Sequence, residues 1–194
     1  MNRKVAYAMV QAIAVQQNIM RLEGRLLDVG CGSKPYKRLH SNVTEWLGMD
    51  IRPVGEIEAD MQEMPFADES FNSVLCTDSL QYALDPVAVI GEISRVLKPG
   101  GVLLLTCPNV SEEDEVTCFN FKMKWLTTAL PTLGLDIEKA DTASKMWEYE
   151  FANYTGTSKY GVPMPGDIAQ FTGFLDTTFP ALNIIVATKR ESAS

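Results

Sequence analysis

Leu26-Leu27-Asp28-Val29-Gly30-Cys31-Gly32 and, further on, Gly48-Met49-Asp50-Ile51 decide the fold of this chain. The first stretch reads as a short buried strand that breaks into a glycine turn. The second reads as another strand, ending in a carboxylate. In a doubly wound α/β sheet two such strand ends lie side by side. Glycines let a ligand lie against bare backbone, and an acid at that point can accept the hydroxyls of a ribose. The pair implies a site for an adenosine-type ligand.

The glycine spacing narrows the ligand. A dinucleotide turn reads G-x-G-x-x-G, and its third glycine lets the helix approach the strand and meet a pyrophosphate. Here Pro35 stands at that third position, and no G-x-x-x-x-G-K-[ST] phosphate loop occurs anywhere. Gly30 and Gly32 alone would mark only a tight strand-to-helix turn of any α/β protein. Three further blocks accompany them: Glu58-Ala59-Asp60-Met61-Gln62-Glu63-Met64-Pro65-Phe66, then Phe71-Asn72-Ser73-Val74-Leu75-Cys76, then Arg95-Val96-Leu97-Lys98-Pro99-Gly100-Gly101.

In these blocks, from about Arg25 to Pro108, the chain resembles the class I S-adenosylmethionine-dependent methyltransferases of the small-molecule kind called type 11. Beyond Pro108 the resemblance thins. It implies an α/β fold: a Rossmann-like doubly wound sheet, mostly parallel with an antiparallel last strand, and helices on both faces. It implies S-adenosyl-L-methionine as cofactor. By that resemblance Asp28 supports the glycine loop and reaches towards the cofactor's amino group. Gly30, Cys31 and Gly32 pass under its methionine part. Asp50 accepts the ribose hydroxyls and Ile51 presses on the adenine. Asp60 accepts from the adenine amine, the Met61 N–H donates to the ring, and Thr77 completes the set. Each carboxylate has a plainer alternative as a surface charge or a cap.

A methyl sulfonium is already an activated electrophile, so the cofactor carries the difficult step. The protein must align the acceptor and exclude water, and few residues are diagnostic of that. Many relatives carry a Glu-His pair after the fourth strand. Here Gln81-Tyr82 stands in its place, and His40, the one histidine of the chain, lies outside the motif. Tyr82 and Asp78 are the candidates for acceptor deprotonation, unless the acceptor needs little. Tyr82 reads equally well as an aromatic packed beneath the cofactor.

Composition sets the bounds. A chain of 194 residues, 46% hydrophobic and 22% charged, suits one α/β domain of the soluble kind. We read residues 1–194 as a single methyltransferase domain, with 1–24 a leading helix and 140–182 an insertion. No apolar run approaches the ~20 residues of a membrane span, and the N-terminus lacks the apolar centre of a signal peptide. The expected location is cytoplasmic. The net charge of −8 argues against nucleic acid as a partner, since phosphate binding needs a basic patch. Lys34, Lys37 and Arg38 beside the glycine loop read as a solvated face, with an anionic substrate group as the alternative. Cys31, Cys76, Cys107 and Cys118 show no C-x-x-C spacing, so no metal site is expected. They read as small buried thiols, with a thiol in the cofactor pocket as the alternative.

Hydrophobic periodicity places the remaining elements. Val5–Leu22 is an amphipathic helix ended by Gly24, lying either across the cofactor cleft or packed on the sheet edge. Strands are expected at 25–29, 45–49, 56–59, 71–76, 102–106, 135–139 and 183–188. A short helix capped by Ser33 is expected from Pro35 to Leu39. Another opens at Asp85-Pro86 and runs to Leu97, and a third covers 119–130. The stretch Ala140–Leu182 is rich in aromatics, including Trp147, Tyr149 and Tyr154, and is punctuated by Gly and Pro. It reads as a wall of the substrate pocket, a homodimer surface or a satellite core. The function expected is methyl transfer to the O or N nucleophile of a small-molecule substrate. The alternative is a catalytically silent, cofactor-binding partner subunit.

Overall fold

A computed structural model describes residues 3–39, 42–109, 121–142 and 181–191. The elements in chain order are α1 (Arg3–Asn18), β1 (Gly24–Val29), β2 (Val43–Asp50), β3 (Ile57–Glu58), β4 (Phe71–Thr77), α2 (Pro86–Val96), β5 (Leu97–Asn109), α3 (Met123–Thr132), β6 (Leu135–Thr142) and β7 (Ala181–Lys189). The strands form a seven-stranded sheet in the order β3-β2-β1-β4-β5-β7-β6. β1 pairs in parallel with β2 and β4, β2 with β3, and β4 with β5. β7 runs antiparallel to both β5 and β6. This is the doubly wound sheet the sequence predicts.

The central strands are apolar on both faces because both faces are covered. On one side Val10, Ala14, Val15 and Ile19 pack with Leu26, Leu75, Leu104 and Ile184. On the other Val89, Ile90 and Ile93 of α2 and Leu126 and Leu130 of α3 cover Leu27, Val74, Leu103, Leu105 and Ile185. The described side chains of α1 therefore seat on the face of the sheet, against its inner strands and not at its edge.

Local chemistry accounts for the boundaries. Asp85 caps α2, accepting the N–H groups of Val87 and Ala88 at 2.9 and 3.1 Å, with Pro86 at the first helical position. β5 begins earlier than its apolar run suggests: Leu97 pairs with Phe71, residues 98–101 bulge out at Gly100 (φ +74°), and pairing resumes at Val102 with Ser73. α1 gives way to a 3-10 turn at Ile19–Arg21, which turns Met20 out to solvent (51% exposed) instead of onto the expected apolar face.

The helix expected over Pro35–Leu39 does not form. Pro35 bars Lys34 from the right-handed helical region, and Lys34 takes φ +54°. The chain continues through four-residue turns, Lys34 N–H to Cys31 O, Lys37 N–H to Lys34 O and Leu39 N–H to Tyr36 O. Tyr36 is buried against Trp46 and the α1-side core, which fixes this short connection without a helix. His40, Cys118, the acidic loop at 112–115 and residues 143–180, with Trp147, Tyr149 and Tyr154, lie outside the described residues.

One arginine ties the later sequence blocks together. Arg95 donates to the carbonyls of Phe66 (2.7 Å) and Met64 (3.0 Å), and to the carboxylates of Asp68 (2.8 Å) and Glu92 (2.7 Å). Glu92 in turn accepts the Met64 N–H at 2.7 Å. The guanidinium fork thus holds loop 64–68 against α2. We expect Arg95→Ala to lower the unfolding free energy by roughly 2–3 kcal/mol, the scale of a few charge-assisted hydrogen bonds left unmet. Arg95→Lys should recover less than half, because an ammonium cannot span the same acceptors. Urea unfolding of the three proteins measures both, and a lysine variant as stable as the parent would refute the role of the fork.

Candidate active site

The sheet changes direction between β1 and β4: the chain winds outward through β2 and β3, then returns to β4. Ligands of open α/β sheets bind outside the carboxyl ends of the strands at such a point. A cleft of about 550 Å³ lies there. Its lining includes Gly30 after β1, Asp50 and Arg52 after β2, Asp60 and Met61 after β3, and Asp78 and Tyr82 after β4.

The floor is the glycine turn. The N–H groups of Gly30 and Cys31 both donate to the Met49 carbonyl, at 2.8 and 3.0 Å, which pins the turn to β2. Gly30 holds φ +67°, and a Cβ there would stand 2.1 Å from Ser79 Oγ. Ser79 uses that space to donate its hydroxyl to the carbonyls of Gly30 or Thr77. Gly30 thus serves conformation and packing together. Beneath the turn Glu56 accepts the Gly48 N–H at 2.7 Å and pairs with Lys34 and, at 3.7 Å, with Lys37. Although partial burial works against it, these bonds hold the Glu56 carboxyl down at about 2. The two lysines therefore share one carboxylate within the protein.

Asp50 is buried at the end of β2. Its Oδ2 accepts the Gly32 N–H at 3.0 Å, and its Oδ1 accepts the Arg52 N–H at 3.0 Å. The Arg52 guanidinium adds a bond to each oxygen, at 3.1 and 3.3 Å. Burial pushes the carboxyl up, but the hydrogen bonds from the Arg52 side chain, the Arg52 N–H and the Gly32 N–H outweigh it and leave the group below its ordinary value. Asp60 accepts the Gln62 N–H at 2.8 Å and its side-chain amide at 3.2 Å. The side-chain carbonyl oxygen of Gln62 accepts the Asp85 N–H at 2.6 Å, linking the β3 end to the start of α2.

After β4, Asp78 takes the left-handed conformation at φ +48° and donates its N–H to Thr106 O at 2.9 Å. The turn after it brings Tyr82, 48% exposed, to the cleft. Gln81 points elsewhere: it is buried, and among the described residues its Oε1 has no hydrogen-bond partner, as is also true of Thr106 Oγ1 and Asn183 Oδ1 near the ends of β5 and β7.

The structure thus gathers Gly30, Asp50, Ile51, Asp60, Met61, Asp78 and Tyr82 on one cleft. Asp28, Cys31, Gly32 and Thr77 are not among its lining residues. Gly32 acts through its N–H on Asp50. Cys31 is buried, and burial together with the neighbouring Asp28 pushes its thiol up to about 11. Sequence reasoning missed Arg52, Gln62 and Ser79. Only Ser79 left a usable trace, as a small residue in the turn after β4. The other two depend on which way a loop side chain folds.

Asp28 sits on the α1 side of β1 and accepts a hydrogen bond from Trp46 Nε1 at 3.1 Å. Burial is the dominant influence and raises its pKa to about 7, against smaller lowering by Trp46 and Lys34. The folded chain therefore retains a proton that the unfolded chain loses near the ordinary carboxylate value. Stability should fall as pH rises from about 4 to about 7, with a slope of up to about 1.4 kcal/mol per pH unit from this group. Asp28→Asn should lack that component. Urea unfolding at several pH values tests it, and identical pH profiles for the two proteins would contradict the assignment.

Known proteins resemble the chain over the same region. Residues 27–105 match the family model described as "Methyltransferase domain". A demethylmenaquinone methyltransferase of Mycobacterium sp. (strain KMS) is 34% identical over 83 residues, 43% of this chain and 35% of that protein. A ubiquinone biosynthesis O-methyltransferase of Xanthomonas oryzae pv. oryzae (strain PXO99A) is 32% identical over 106 residues, 44% of this chain and 43% of that protein. The matches thus span less than half the length of these curated relatives. A chain of the solved complex between the Haloferax volcanii Trm112 methyltransferase activator and a methyltransferase shares the fold, with a TM-score of 0.66 at 18% identity over 94% of this chain and 90% of that one. Residues 27–105, which carry the glycine turn, the Asp50 strand end and the lining of the cleft, are thus the part of the chain that resembles known methyltransferases.

Proposed function

We propose that this chain is a single-domain enzyme that transfers a methyl group from S-adenosylmethionine to an oxygen or nitrogen of a small molecule. The observation that carries the reading is the Gly30–Gly32 turn hydrogen-bonded to Asp50 at the edge of the cleft. The cleft volume suits a nucleoside-sized ligand. Among the described residues its lining bears the carboxylates Asp50, Asp60 and Asp78 against one guanidinium, Arg52. Such a balance favours a cationic sulfonium and opposes the pyrophosphate of a dinucleotide.

When bound, the cofactor supplies an activated methyl group. The residues of this chain do the rest by placement. Asp50 would hold the ribose hydroxyls, Ile51 would cover the adenine, and Asp60 with the Met61 N–H would read its edge. Holding the acceptor in line with the methyl group and excluding water can supply ~7–11 kcal/mol of the barrier. Tyr82 and Asp78 flank the same cleft and would take the acceptor's proton. The exposed apolar rim of Ile51, Tyr82 and Leu84 favours an acceptor with an apolar body. The names of the quinone-pathway relatives agree with that choice. Among the described residues no helix is long and apolar enough to cross a membrane.

Calorimetric titration should show binding of S-adenosylmethionine and S-adenosylhomocysteine, and far weaker binding of NAD. Equal or tighter binding of NAD would overturn the reading. Asp50→Ala should weaken S-adenosylhomocysteine binding by roughly 1–3 kcal/mol while the protein stays folded. An unchanged dissociation constant would remove Asp50 from the site.

A further inference from the structure

Asp50 carries the proposed ribose site, yet its carboxylate is already fully engaged. An ionised carboxylate offers about four acceptor positions on its two oxygens. Two are taken by backbone N–H groups, Gly32 on Oδ2 and Arg52 on Oδ1, which belong to the turns themselves. The other two are taken by the Arg52 guanidinium, Nε on Oδ1 at 3.1 Å and Nη2 on Oδ2 at 3.3 Å. The fork therefore makes one bond to each oxygen. An adjacent pair of hydroxyls can approach a carboxylate in the same pattern, one donor per oxygen.

The position of Arg52 agrees with this equivalence. Its side chain lines the cleft, and Nη2 is the nearest atom, at 3.9 Å, to the point where a Cβ on Gly32 would stand. The guanidinium thus covers the bare backbone of the glycine turn as well as the acid. The ion pair is lopsided: the Asp50 side chain is 6% exposed and that of Arg52 66% exposed. Arg52 can swing into water without moving the backbone.

We propose that Arg52 occupies the ribose position of the free protein, and that Arg52 and the cofactor compete for the Asp50 carboxylate. Arg52 is then an affinity-setting residue of the cofactor site: its fork is displaced, bond for bond, as the ribose arrives. The Gly32 and Arg52 N–H groups stay in place and keep the carboxylate ionised and oriented. This inference rests on the methyltransferase reading above.

S-adenosylhomocysteine is the suitable probe because it lacks the sulfonium, so loss of the Arg52 charge does not by itself favour it. Titration into Arg52→Ala should give a dissociation constant at least threefold lower than that of the unsubstituted chain. Arg52→Gln, which keeps length and loses the fork, should shift it in the same direction. In an Asp50→Ala background, Arg52→Ala should change the constant by less than 1.5-fold, because nothing remains to compete for. Unchanged or weaker binding by Arg52→Ala overturns the competition and leaves the methyltransferase reading standing. An equal gain in both backgrounds overturns it too. No binding to the unsubstituted chain overturns both.

Discussion

The hydrogen bond from the Gly32 N–H to Asp50 joins the ends of two neighbouring strands, and the site is arranged around it. It requires the glycine turn to fold back over β2, which the paired bonds from Gly30 and Cys31 to the Met49 carbonyl enforce. It requires Gly30 to hold a positive φ while leaving room for Ser79. It also requires the loop after Asp50 to stay close. Gly55 meets that need: a Cβ there would stand 2.6 Å from the Gly48 carbonyl, so only glycine lets the two segments touch. Backbone geometry, more than any side chain, sets where the carboxylate stands.

A second tier holds the frame around that bond. Glu56 ties β2 to the turn through the Gly48 N–H and Lys34. Gln62 ties the β3 end to α2, and Arg95 ties α2 back to loop 64–68. These contacts explain why the sequence blocks come as a set. Each block supplies either an edge of the cleft or the side chain that holds another block in place. The sheet beneath contributes rigidity, since its central strands are apolar on both faces and covered on both.

Much of this was legible in the sequence because the signals were local. The apolar run Leu103-Leu104-Leu105, the glycine turn and the Asp85-Pro86 helix start each act within a few residues. The absence of a helix after Ser33 was not legible, because Pro35 is read as a helix start until its effect on Lys34 is weighed. By resemblance Asp28 supports the glycine loop and reaches towards the cofactor; its bond from Trp46 was not legible, because it depends on a residue of the next strand. Arg52 carried no signal at all. A loop arginine two residues past an acid is ordinary, and only the folded loop shows its fork on the carboxylate.

A crystal structure of the chain grown with S-adenosylhomocysteine tests the central claim most directly. The account predicts the ligand in the cleft between β1 and β4, its ribose hydroxyls within hydrogen-bond distance of Asp50 and its adenine beside Ile51 and Met61. A ligand bound elsewhere, or one in the cleft whose ribose does not touch Asp50, would contradict it.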